Sequence, residues 1–100
     1  MPIKRTMMPT FDPESAKDYG VLWARWLEAG ETITASTWTL PSGLVLDEDH
    51  EDDFSDTETR VWIRADETVV IGENYDLTNH IVTSAGREED QTITIPVRSR

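Results

Sequence analysis

The run Glu31-Thr32-Ile33-Thr34-Ala35-Ser36-Thr37-Trp38-Thr39-Leu40 carries no charge after Glu31 and stops at Pro41-Ser42-Gly43. Half of its residues are β-branched, and such side chains suit a pleated, half-buried surface better than a helix. The run predicts a strand closed by a turn. Trp38 is the largest side chain this strand can bury. Burying an indole needs a core supplied by other elements.

On the C-terminal side the chain offers short apolar runs between turn signals. Leu44-Val45-Leu46 predicts a short strand, and Asp47 to Asp56 an acidic loop anchored by Phe54. Thr57 to Ala65 predicts a strand with Val61, Ile63 and Ala65 on one face and Arg60, Trp62 and Arg64 on the other. Val69-Val70-Ile71 predicts a brief strand ended by Gly72. Tyr75 to Thr83 alternates, with Tyr75, Leu77, Asn79 and Ile81 against Asp76, Thr78, His80 and Val82. Ala85 to Asp90 reads as a hairpin loop. The last strand sets Ile93, Ile95 and Val97 against Thr92, Thr94, Pro96 and Arg98. Pro96 has no amide hydrogen, so this strand is expected at an edge or a bulge.

On the N-terminal side, Tyr19 to Gly30 fits two periods. Tyr19, Leu22, Trp23, Trp26 and Leu27 share a helical face, while Tyr19, Val21 and Trp23 share a strand face. Gly20 weakens a helix this short. The favoured reading is a short strand, then a helical turn closed by Gly30. Trp23 and Trp26 read first as core or as a lid on the sandwich end, and second as a contact platform. Residues 1–18 hold Pro2, Pro9 and Pro13 and a polar run from Asp12 to Asp18. They predict an extended arm, either a frayed terminus or one that orders on a partner.

About seven short strands at near-regular spacing predict an all-β fold, an immunoglobulin-like antiparallel β-sandwich over residues 19–100 behind the arm at 1–18. Tyr75, opening the penultimate strand with Leu77 two residues on, stands where such folds place a tyrosine corner. The chain has no cysteine. That argues against an antibody-type domain and excludes thiolate metal sites.

One hundred residues suffice for one domain, which buries roughly two thirds of its unfolded surface. Twenty acids against nine bases give a net charge of −11. That disfavours nucleic acid and anionic membranes as partners. No apolar run approaches the roughly 20 residues of a membrane span. Met1 to Pro9 is a poor signal peptide, so a product of the cytosol is expected.

Eight acids crowd the segment Asp47 to Glu58. As a calcium loop, Asp47, Asp49, Glu51 and Asp53 would take the first, third, fifth and seventh places, and Glu58 the last. Asp52 stands where that loop needs glycine, and no helix flanks it, so a solvated acidic loop is the plainer reading. His50 lies within the loop, and His80 on an outer strand face with no matched partner nearby in sequence. No hydrolase, zinc or phosphate-loop motif is present. Neither an enzyme nor a cofactor is expected. The Arg60-Trp62-Arg64 stripe reads as a cation–π ladder, as a protein-binding hot spot, or with reversed faces that bury Trp62.

Several stretches together resemble a known family: Asp18-Tyr19-Gly20-Val21-Leu22-Trp23, Gly30-Glu31-Thr32-Ile33, Ser36-Thr37-Trp38, Val61-Trp62-Ile63, Tyr75 to Thr83, and Gly86 to Asp90. The chain is similar to the fiber-tail adaptor proteins of tailed phages and prophages from about Asp18 to Val97. Leu22 departs from the acidic residue usual before that Trp, and the 47–53 loop is more acidic than the pattern. The resemblance implies a non-enzymatic, immunoglobulin-like virion protein. Its partners would be other phage structural proteins of tail, fiber or capsid, met in several symmetric copies. Contacts are expected from the arm, from Tyr19, Leu22, Trp23 and Trp26, and from Arg60, Trp62 and Arg64. The rival readings are a capsid decoration protein clamping capsomers with its arm, and a calcium- or carbohydrate-binding module.

Overall fold

The computed structural model describes the backbone of residues 6–7 and the chain at 11–48 and 53–98. Its strands are β1 (Thr6–Met7), β2 (Lys17–Leu22), β3 (Ile33–Thr39), β4 (Leu44–Leu46), β5 (Asp53–Phe54), β6 (Glu58–Ala65), β7 (Asn74–Thr83) and β8 (Glu88–Pro96). One sheet runs β1-β8-β7-β3 and the other β2-β6-β4, with β5 also on β6. Every pairing is antiparallel except β1 with β8. The fold is an all-β sandwich, as the spacing of strand and turn signals predicts.

The core lies between the sheets. Tyr19, Leu44, Val61 and Ile63 from one sheet meet Trp38, Leu77, Ile93 and Ile95 from the other. Burying one such aliphatic side chain contributes about 1.5–3 kcal/mol, so these alternating positions hold the layers together. A second cluster closes one end: Trp23, Ile33 and Ile81 under Val21, Trp26 and Leu27. After β2 the backbone turns, with the Trp26 and Leu27 amides donating to the Trp23 carbonyl. Gly30 then adopts a left-handed conformation (φ 80°), which favours glycine.

Buried polar groups join the layers. Asn79 is fully buried in β7. Its Oδ1 accepts from Trp23 Nε1 (3.0 Å) and Thr59 Oγ1 (2.7 Å), and its Nδ2 donates to Ser36 Oγ (2.9 Å) and the Thr37 carbonyl (3.1 Å). One amide thus ties β7 to β3, β6 and the turn after β2. Trp38 Nε1, by contrast, is buried with no hydrogen-bond partner among the described residues. The phenol of Tyr75 accepts from the Val70 amide at 2.8 Å, the bond back to the preceding corner that the sequence position implies.

Several expectations are corrected. Val69-Val70-Ile71 forms no strand: it is coil leading into a turn, with Val70 and Ile71 exposed. Three residues between two turns find no neighbouring strand. Phe54 anchors nothing, being 44% exposed in a two-residue strand on β6. The expected 85–90 loop shrinks, because Glu88, Glu89 and Asp90 pair with Val82, Ile81 and His80. β8 is not an edge strand, since β1 and Phe11 line its far side. Amides alternate sides along a strand. The Val97 amide meets the Glu73 carbonyl in the β7 direction, and the Arg98 amide meets Phe11. The missing hydrogen of Pro96 therefore falls on the N-terminal side, where only the arm borders β8. Phe11 itself is fully buried in the main core, with its amide on the Pro96 carbonyl. β2 begins at Lys17, so the strand crosses the expected 18/19 boundary.

Candidate partner-binding site

β6 decides the stripe. Its burial alternates, with Thr59, Val61 and Ile63 inward and Arg60 and Arg64 exposed. Trp62, half-buried, shares their outer face. In register Asp18 lies opposite Trp62, Gly20 opposite Arg60, Leu22 opposite Glu58 and Val45 opposite Arg64. Arg60 is 3.8 Å from the Asp18 carboxylate. Arg64 donates from Nε to Asp47 at 2.7 Å. Gly20 brings β2 close: a Cβ there would sit 2.4 Å from the Thr59 carbonyl oxygen. This outer face therefore presents an aromatic residue between two arginines along β6, with Gly20 the one position of the facing β2 without a side chain. Leu22, 76% exposed, stands at its end.

Two candidate contact residues are withdrawn from the surface. Tyr19 and Trp23 are core, at 4% and 3% exposed. Burial, with the charge of Asp18 beside it, pushes the Tyr19 phenol up to about 12. In the 19–23 stretch, strand alternation turns both rings inward and leaves Leu22 out.

Trp26 remains at the surface, held by a group the sequence reading missed. Arg87 stacks on its ring, 4.0 Å from the centroid, and Trp23 meets it edge-on at 5.5 Å. Arg87 also grips the buried Glu31 carboxylate with Nε and Nη2. Thr83 Oγ1 and the Glu28 amide donate to the same carboxylate. The Arg87 and Thr83 bonds, then that of Glu28, hold Glu31 down at about 2, while Glu31 raises Arg87 further. The available signals were slight: Glu31 is the last charge before the uncharged strand, and Arg87 the one base in an acidic loop.

Among the described residues, Asp47, Asp53 and Glu58 do not gather as a ligand set. Asp47 is buried against Arg64. Asp53 and Glu58 are exposed on β5 and β6, and Asp49 and Glu51 lie outside the described residues. Among the described residues no three acidic or histidine side chains are placed to hold a metal. His80 does have partners: its Nδ1 meets Asp90 and its Nε2 meets Glu88 at 2.9 Å, both across the hairpin. The Asp90 bond first, then Glu88, raises its pKa. His50 lies outside the described residues. No helix among the described residues is long and apolar enough to cross a membrane.

A two-sheet sandwich that leaves Trp62 half-buried among exposed arginines and Trp26 stacked on Arg87 defines a small all-β domain. A comparison with known families makes this specific. Residues 12–96 match the model described as podophage GP4 fiber-tail adaptor protein gp77, so the chain belongs to that family of fiber-tail adaptors. No curated protein matches it.

Proposed function

We propose that this chain is a non-enzymatic structural component of a phage particle, joining tail and fiber parts by protein–protein contact. The family match over residues 12–96 carries the reading. The outer face of β2-β6-β4 supports it: Trp62 with Arg60 and Arg64 supplies the residue types enriched in binding hot spots, and Leu22 adds exposed apolar area. Trp26, stiffened by Arg87, offers a second rigid contact. The strand orders β2-β6-β4 and β3-β7-β8 support an immunoglobulin-like connectivity. The segment leading into β2 reinforces the sandwich through Phe11. Several symmetric copies would add weak single contacts into firm attachment.

Cryo-EM of intact particles of the encoding phage tests this. The expected result is density for the chain between the tail and the fiber base. Density spread over the capsid shell would replace the adaptor with a decoration protein. Absence from purified particles would refute both.

A further inference from the structure

Among the described residues β3 ends its sheet, paired by β7 on one side only. Such an edge presents unpaired amides and carbonyls, and soluble proteins blunt it with charge, proline, bulges or shortness. The other borders are blunted. β1 has two residues and β4 three, while β2 opens on exposed Lys17 and Asp18. β3 has seven residues, with neither charge nor proline, and its one irregularity lies at its start, between Ile33 and Ala35. Ala35, Thr37 and Thr39 are exposed. Among the described residues no strand pairs the far side of Ala35 to Thr39, roughly 17 Å at about 3.4 Å per residue.

The neighbouring segment says what fits there. β5 packs beside β3, and the Ile33 amide donates to the Asp56 carbonyl at 2.9 Å. Asp53, Asp56 and Glu58 are all exposed, with the half-exposed ring of Phe54 among them. No Lys or Arg occurs from Trp26 to Thr59. Arg60 stands opposite Asp53 in register and also faces Asp18. The open edge thus runs beside a largely uncompensated acidic strip.

We propose that β3 is a docking edge for an extended segment of a partner virion chain, added as a further strand, with Lys or Arg of that segment set against Asp53, Asp56 and Glu58. Main-chain hydrogen bonds would give affinity, and the acidic strip would select the partner. A second copy of this chain fits poorly, because pairing β3 with β3 brings two acidic strips together on molecules of net charge −11. The proposal rests on the adaptor reading.

The test is amide hydrogen exchange on the full chain, alone and mixed with the recombinant tail and fiber proteins of the encoding phage. Free protein should exchange rapidly at part of 35–39, and partner binding should slow exchange there. The triple variant Asp53→Asn, Asp56→Asn, Glu58→Gln should weaken binding roughly tenfold and flatten its salt dependence. Binding with protection elsewhere and none at β3 would overturn this proposal while leaving the adaptor reading intact. No binding to either protein would sink both. Protection at β3 in the free chain that grows with concentration, with a dimer by light scattering, would assign the edge to a second copy instead.

Discussion

Replacing Asn79 with leucine keeps the branched shape at a somewhat larger volume and removes all four amide hydrogen bonds at once. Trp23 Nε1 then points at an alkyl group, and the Thr59 hydroxyl loses its acceptor. Both donors are buried. A buried donor left unsatisfied costs about 1–3 kcal/mol. The added apolar burial offsets part of that, and Thr59 can rotate, so the net loss should be about 3 kcal/mol. For a domain of this size that lowers Tm by roughly 12–24 °C. Urea and thermal unfolding of the wild type and the variant would measure it. The pair Trp23→Phe with Asn79→Leu supplies the internal control. It removes the orphaned donor, so the double variant should recover about 1 kcal/mol relative to the sum of the singles. A loss below about 1 kcal/mol for Asn79→Leu, or strictly additive singles, would refute the view that this amide fastens the layers.

Gly20→Ala should cost about 1–3 kcal/mol, because its Cβ would meet the rigid Thr59 carbonyl at 2.4 Å and force β2 off β6; chemical denaturation reads it out. Glu31 has its pKa depressed to about 2. Its contribution to stability is therefore complete above its unfolded value and fades as pH falls from about 4.5 toward 2. Glu31→Gln should flatten that part of the stability–pH curve, and an unchanged acid limb would contradict the assignment. The His80 pKa is raised, by Asp90 first and then Glu88. Its contribution is present below about pH 6.5 and is lost as pH rises through the higher folded value. NMR titration of the ring should give a pKa above the free value, and Asp90→Asn should bring it down.

Periodicity along the sequence was enough for the strands that matter most. Glu31 to Leu40, Thr57 to Ala65 and Tyr75 to Thr83 each alternate or bound themselves with turn residues, so they were legible as strands, as was the bond from Tyr75 back to its corner; the face that Trp62 takes was not, and only the burial of β6 decides it. The ambiguous stretch from Tyr19 to Gly30 resolved as strand, then turn, because β2 found β6 as a partner for its whole length. What sequence spacing could not give is any group made by residues far apart in the chain. Glu31 and Arg87, and Asn79 with Trp23, are each separated by more than fifty positions. Glu31 and Arg87 meet because β3 pairs with β7 and sets Ile33 opposite Thr83, and Asn79 reaches Trp23 because the two sheets pack face to face. Closure of the sheets turned Tyr19 and Trp23 from candidate contacts into core, while strand pairing within one sheet gave His80 its two carboxylates and set β3 at the end of that sheet. Local patterning sets which way a side chain faces within its own strand; only the pairing of strands and the packing of one layer on another decide whether that direction ends in solvent, in the core or against a charge.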